Sequence, residues 1–321
     1  CSDIRFVCRP LPEHLANAIV SQGFTLNTLK PAGALKQPGE LAHAEWLGAD
    51  PAADAAETLD ALRGSEWDWL CIDHYGIGAN WEQQLRKLCR RIFVIDDLAD
   101  REHDCDGLLD QNLYQDQNSR YDGLIPDSAT TFIGPGYALL REEFISARQT
   151  LKPRDGRVQR ILIFFGGADA GNDTAAALTA LLAVDHTQLE VDVVIGANHP
   201  DPSGVQHMCG ELGFTCHVQT DAMAELMSAA DLAIGAGGIS SWERLYLRLP
   251  SIVTPIAENQ VLQLHYMQSQ GLCEVYRDTA DLGEKLTAAI EGGVAPPRDI
   301  VGDGKREIAA FMLDQVSKAN A

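Results

Sequence analysis

Short apolar runs separated by longer Ala- and Leu-containing stretches repeat along the whole chain. In the first half they fall at Arg5–Cys8 and at residues 69–72, 92–95, 107–109 and 131–133, with helix-like segments such as 12–22 and 54–62 between them. Strand-length apolar runs alternating with helix-length segments predict βα repeats and a mainly parallel sheet. Residues 138–159 turn charged and irregular, and Lys152-Pro153-Arg154-Asp155-Gly156 is the best linker candidate. A second set of runs follows at 161–165, 189–195, Thr215–Val218, 232–234, Ser251–Thr254 and 273–275. The pattern therefore predicts an α/β protein of two doubly wound, Rossmann-like domains, over residues 1–150 and 157–300. A last amphipathic helix within 301–321 carries Ile308, Phe311, Met312 and Val316 at helical spacing. Two such domains joined by a hinge leave a cleft between them as the default ligand site.

The polar positions that interrupt the second set carry the most information. Asp231-Leu232-Ala233-Ile234 runs into Gly235-Ala236-Gly237-Gly238-Ile239-Ser240-Ser241 and then into a helix bearing Trp242 and Glu243. Glycines let a backbone approach an anion, and the start of a helix offers free N–H groups and the positive end of its dipole. Ser240 and Ser241 stand where N-caps stand, and Glu243 is placed to reach the hydroxyls of a sugar that carries the phosphate. A second turn of the same design, Gly166-Gly167-Ala168-Asp169-Ala170-Gly171-Asn172-Asp173-Thr174, precedes an Ala/Leu-rich helix at 175–182. One such turn can exist only because tight turns need glycine; two in one domain point to a diphosphate or a nucleotide. The run Ser251–Thr254 ends in Pro255-Ile256-Ala257-Glu258-Asn259-Gln260, a polar stretch at the carboxyl end of a strand, where open α/β sheets bind ligands.

In the first half Asp73-His74-Tyr75 follows the run at 69–72 directly. His74 and Tyr75 there can serve as acid, base or hydrogen-bond donor toward a bound sugar, or can simply cap the strand. Asp96-Asp97 and Asp110-Gln111-Asn112 form two further acidic strand ends, without the tight ligand spacing that metals favour. Capping or loop-holding is the expectation for Asp96 and Asp97, and no metal and no cofactor is expected. His199 and His207 lie in no motif and read as surface or packing residues.

Length and charge narrow the classes. At 321 residues the chain is long enough for two buried cores, and a formal charge of −21 argues against nonspecific binding to nucleic acid or to an anionic membrane. Any anionic ligand must then rely on local donors. Eight cysteines without a Cys-x-x-Cys pair read as reduced thiols of a cytoplasmic protein. No apolar run is long enough to span a membrane and no secretory signal opens the chain, and oligomeric state is not legible. The chain starts with Cys1, and Ser2-Asp3-Ile4-Arg5-Phe6-Val7-Cys8 has the look of the second strand of an α/β unit, so the first strand, loop and helix are expected to be missing.

Several strings together carry a resemblance. They are Phe6-Val7-Cys8-Arg9, Asp73-His74-Tyr75, Val94-Ile95-Asp96-Asp97-Leu98-Ala99, His103-Asp104-Cys105-Asp106, Leu109-Asp110-Gln111-Asn112, Gly134-Pro135-Gly136-Tyr137-Ala138-Leu139-Leu140-Arg141, Phe164-Phe165-Gly166-Gly167-Ala168-Asp169, Gly235-Ala236-Gly237-Gly238 and Ala257-Glu258-Asn259-Gln260. Spanning nearly the whole chain, they resemble the UDP-sugar hydrolases of pseudaminic acid biosynthesis. Those enzymes act on a UDP-linked 2,4-diacetamido-2,4,6-trideoxy-β-L-altropyranose and are GT-B-fold relatives of the MurG-type glycosyltransferases. The resemblance implies a GT-B fold and metal-independent attack of water on the anomeric carbon with inversion, releasing UDP and free sugar. It implies that Glu243 holds the ribose, that Asn259 lies next to the sugar and Tyr75 at the reacting side, and that Gly166, Gly167, Asp169, Gly237, Gly238, Ser240, Ser241, Glu258, Gln260 and His74 line the substrate. It also implies that uracil is read around Val218 with Met223 as an apolar lid. The family's proposed base, a histidine in a Gly-x-Gly-His loop after the first strand, has no counterpart in these residues, and His74 does not replace it. A glycosyltransferase of the same fold and a non-catalytic UDP-sugar-binding protein stay open, although the charge of −21 and the lack of a basic amphipathic patch count against the former.

Overall fold

The computed structural model describes residues 3–33 and 41–319. Cys1 lies outside them, and the other seven cysteines are free thiols. The chain forms two compact units. One comprises the residues up to Asp110, Asp116–Ile133 and the chain from Ile308 onward; the other comprises Gln111–Gln115 and Gly134–Glu307.

The first unit runs β1 (Arg5–Cys8), α1 (Glu13–Ser21), β2 (Thr25–Thr28), α2 (Pro51–Ala61), β3 (Trp67–Asp73), α3 (Ala79–Leu85), β4 (Cys89–Ile95), β5 (Gly107–Asp110) and β6 (Thr130–Ile133). Its strands make a parallel pair, β1-β2, and a parallel four-stranded sheet in the order β3-β4-β5-β6. β2 has no apolar run to announce it, because Thr25-Leu26-Asn27-Thr28 exposes both its ends. Asp50 starts α2 by accepting from the amides of Ala52 and Ala53, with Pro51 at the first helical position. Arg9, just beyond β1, donates to Asp54 on that helix at 2.6 Å, and the Trp81 indole donates to the same carboxylate at 2.9 Å. The acidic strand ends are consumed internally: Arg101 pairs with Asp96 at 2.8 Å, Arg120 with Asp110 at 3.2 Å, and the Tyr121 hydroxyl reaches both carboxylates at 3.1 Å.

The second unit runs α4 (Glu142–Thr150), β7 (Arg160–Phe164), α5 (Asp173–Leu181), β8 (Glu190–Ile195), α6 (Pro202–Leu212), β9 (Thr215–Val218), α7 (Met223–Ala229), β10 (Leu232–Ala236), α8 (Ser240–Tyr246), β11 (Ser251–Thr254), α9 (Asn259–Ser269), β12 (Glu274–Val275) and α10 (Thr279–Gly292). The last helix, α11 (Gly304–Ala319), begins in this unit and continues in the first, where Phe311 packs 5.6 Å from Trp69 and 5.3 Å from Phe132 between ring centroids. The six strands are all parallel, in the order β12-β11-β10-β7-β8-β9. Both faces are buried, as parallel sheets require. Ile161, Ile163, Val193 and Ile234 meet α5, α6 and α10 on one face, while Leu162, Val194 and Ala233 meet α4 and α7 on the other.

The segment that reads as a linker is docked rather than loose. Arg154 donates to the carbonyls of Ala230, Leu247 and Met227 at 2.7–2.8 Å, satisfying acceptors beyond helical ends. α4, expected in the first domain, packs Phe144 into the core of the second unit, so the break lies near residue 134 instead of 150. The pairing of β7 with β10 leaves no room for a side chain: a Cβ on Gly235 would come 2.2 Å from the Phe164 carbonyl oxygen. Gly235→Ala is therefore expected to lower the stability of the chain by about 2 kcal/mol or more, measured by urea unfolding.

Candidate functional site

Strand order reverses between β7 and β10: the chain leaves β7 toward β8 on one side and β10 toward β11 on the other. Such a switch point opens a crevice at the carboxyl ends of the strands. Phe164 pairs with Gly235, so the two glycine-rich turns that follow these strands lie side by side. Residues seventy positions apart in sequence thus become one site.

The turn after β10 is built on packing. A Cβ on Gly237 would fall 2.5 Å from the Leu264 side chain, whereas Gly238 has room for one, its nearest neighbour being the Gln260 amide at 3.6 Å. The Gly237 amide is spent on the Thr254 carbonyl, and those of Ser241 and Trp242 close tight turns onto Gly238 and Ile239. The amides of Gly238, Ile239 and Ser240 donate to no acceptor among the described residues. Three consecutive uncommitted N–H groups form a cradle suited to an anion. Ser240 and Ser241 do not cap α8, whose N-cap position is Ile239. Both serine oxygens instead accept from the guanidinium of Arg244, at 3.1 and 3.0 Å, and the same guanidinium donates to the Ala236 carbonyl at 2.7 Å. Arg244 is fully buried, and burial pulls its pKa down to about 10, so it stays charged at neutral pH.

In the turn after β7 the amides of residues 166–171 likewise donate to no acceptor among the described residues, and it is the helix start behind them that has the opposite character. Asp169, held at a left-handed φ of 41°, folds its carboxylate back onto the start of α5 and accepts from the amides of Asp173 and Thr174 at 2.9 and 3.0 Å. The next two amides, of Ala175 and Ala176, donate to the Asn172 carbonyl. All four N-terminal donors of α5 are thereby used, which corrects the expectation that this helix start faces a phosphate. The His199 Nδ1 accepts from the Asp201 amide, so its Nε2 carries the proton and donates to Asp169 at 3.2 Å. Burial, and then the neighbouring Asp169 charge, raise the Asp173 carboxyl above its usual range. Gly166 and Gly167 remain as backbone beside the switch point, and Gly166 takes a φ of 99° open to glycine alone.

Around these turns, Glu243 on α8 meets Arg141 at 3.3 Å, and Arg141 also holds Glu143 at 2.8 Å. Burial raises the Glu243 carboxyl above its usual range against the pull of Arg141. Gln260 accepts from the Ile256 amide at 3.0 Å and so folds the loop after β11 beside Gly238, with Glu258 and Asn259 exposed on it. Val218 lies exposed at the end of the edge strand β9. Met223 is core rather than lid: it is buried with Phe144, Leu226 and Met227, because its position on α7 faces the sheet.

In the first unit His74 Nδ1 accepts from the Gly76 amide at 2.9 Å. Burial lowers its pKa, so it is a neutral loop-holding residue. Tyr75 stands against His43 and Trp46 with ring centroids 5.7 and 5.6 Å away. Burial, then the Asp97 carboxylate to which its hydroxyl donates, raise its pKa well above that of an ordinary phenol.

Residues 160–314 match the model of the Glycosyltransferase family 28 C-terminal domain. The chain is 33% identical over 117 residues to the UDP-2,4-diacetamido-2,4,6-trideoxy-beta-L-altropyranose hydrolase of Campylobacter jejuni, covering 36% of this chain and 41% of that protein. It is 27% identical over 218 residues to the spore coat polysaccharide biosynthesis protein SpsG of Bacillus subtilis, covering 66% of this chain and 63% of that one. The chain thus spans less than two thirds of either relative. The crystal structure of Acinetobacter baumannii MurG superposes with a TM-score of 0.58 at 13% identity, over 97% of this chain and 91% of that one. The chain has the GT-B fold.

Within the carboxy-terminal domain a concavity of about 920 Å³ lies elsewhere, among Gly156, Val158, Leu189, Ile290 and Val294 at the amino ends of β7 and β8. The uncommitted amides and the buried charge, and not cavity volume, mark the switch point as the candidate site. Arg244 was not singled out from the sequence and Arg141 only closes one of the quoted strings; the signal for Arg244 was an arginine one turn after Ser240 and Ser241 in the same helix. Asp169→Ala removes the acceptor for two helix amides and one imidazole. It is expected to destabilise the chain by about 2 kcal/mol in urea unfolding.

Proposed function

We propose that this GT-B protein hydrolyses the anomeric C–O bond of a UDP-linked 2,4-diacetamido-2,4,6-trideoxy sugar, as the resemblance implies. The observation that carries the reading is the turn after β10, where three free amides lie over a buried guanidinium at the sheet's switch point. The identity to the Campylobacter hydrolase supports the choice of reaction. In this reading the diphosphate occupies the cradle at Gly238, Ile239 and Ser240, and Glu243 accepts from the ribose hydroxyls. Water attacks the anomeric carbon, the bond from that carbon to the phosphate oxygen breaks, its electron pair leaves with UDP, and the proton released from the water passes to solvent. Donors preorganised around the departing charge make that departure easy without a metal.

Asn259 is assigned to positioning the sugar and Tyr75 to a hydrogen bond at the reacting side. Tyr75, with its raised pKa, stays protonated and does not take the proton of the attacking water, and His74 Nδ1 is already held by the Gly76 amide. A second reading, transfer of the sugar to an acceptor other than water, draws support from the family 28 domain match. Incubating the protein with the UDP-linked diacetamido sugar and following phosphorus NMR separates the two. UDP release without any acceptor is expected, and release only when an acceptor is added would replace hydrolysis by transfer. Asn259→Ala is expected to lower turnover more than nucleotide affinity.

Glu243 gives a pH-dependent signature. As pH falls through its raised pKa the carboxylate protonates and stops accepting from the ribose, so uridine affinity should drop at a pH where an ordinary glutamate is still ionised. Uridine has no phosphate to titrate, which keeps the calorimetric profile readable. Glu243→Ala should weaken uridine binding by about 2 kcal/mol and flatten that profile; an unchanged affinity would remove Glu243 from the ribose.

A further inference from the structure

Arg244 is among the largest fully buried side chains of the molecule, yet among the described residues it makes no close ion pair, and the Glu243 carboxylate acts on it only from a longer range. Its hydrogen bonds go to the Ala236 carbonyl and to the oxygens of Ser240 and Ser241, and its Nε has no partner among the described residues. A buried whole charge without a hydrogen-bonded counter-ion is costly, and a leucine or methionine would fill the same space on the apolar face of α8 more cheaply. The net charge of −21 deepens the puzzle of an anion site here, since the chain as a whole repels a diphosphate. α8 has only seven residues, and a helix end contributes no more than a partial charge.

The serines connect the two facts. A hydroxyl offers one donor and two acceptor positions. Since each serine oxygen accepts from Arg244, each keeps its own hydrogen for another acceptor, and the guanidinium polarises that hydrogen as a donor. Ser240 also contributes one of the three uncommitted amides of the turn. Its hydroxyl and its amide thus belong to the same anion cradle, one of them backed by a positive charge.

Resting on the reading of the switch point as a uridine nucleotide site, we propose that Arg244 is a positioning residue for the diphosphate. Its charge reaches the phosphates through the Ser240 hydroxyl, and Ser241 fixes the guanidinium in place. The bound diphosphate is then the close counter-ion that Arg244 lacks in the protein core. The arrangement adds to the Glu243 ribose contact a share of affinity that depends on phosphate charge alone.

Calorimetry with UDP and with uridine on the full chain and on Arg244→Met tests this. The wild-type chain is expected to bind UDP far more tightly than uridine. In Arg244→Met, UDP affinity should fall about tenfold or more while uridine affinity stays within about twofold, the loss of one charge-assisted contact. Arg244→Lys should restore part of the UDP preference. Equal losses for both ligands, or none, would make Arg244 a mere clamp on the turn and overturn the proposal while leaving the nucleotide site standing. Failure of the wild-type chain to bind UDP would instead remove the site and the proposal together. If Arg244→Met does not fold, Ser240→Ala decides: a selective loss of UDP affinity supports the relay, and unchanged UDP affinity refutes it.

Discussion

The candidate site depends on one close approach, that of β10 to β7 at Gly235. No side chain fits there, because the Phe164 carbonyl oxygen occupies the space of a Cβ. This backbone contact sets the parallel register that pairs Phe164 with Gly235, and the register places two distant glycine-rich turns at one switch point. Everything polar at the site is arranged around that pairing. Glycine here serves the packing of the sheet, and the anion cradle follows as a consequence of where the strands end.

The two turns look alike in sequence and differ in charge. After β7, the Asp169 carboxylate takes the amides of α5 that an anion needs, and His199 holds the carboxylate in place. After β10, a guanidinium lies beneath three amides that have no acceptor. One turn carries a carboxylate satisfied by amides and a neutral imidazole, and the other a buried guanidinium. The two neighbouring turns thus differ in the sign of the charge behind them.

Much of the fold was legible because it rests on local pattern. Eleven of the twelve strands lie on apolar runs read from the chain, since strands buried on both faces must be apolar nearly throughout. β2 was missed because Thr25-Leu26-Asn27-Thr28 is buried on neither face and carries no such run. The segment at 152–156 reads as a linker from its proline, glycine and charges, yet Arg154 binds three carbonyls supplied by residues 227–247. Met223 is a lid in what the resemblance implies, and it is core because α7 turns it toward Phe144.

Composition and periodicity settled the α/β class, the two sets of parallel strands and the loops that matter, for these follow from residue type and spacing along the chain. What they could not settle is which polar groups at those loops remain free. Whether a helix amide meets solvent or Asp169, and whether a serine caps a helix or receives a hydrogen bond from Arg244, depends on how side chains meet once strands and helices are packed. Hydrogen-bond partners are chosen by geometry across a few ångströms, and only the packed structure supplies that distance.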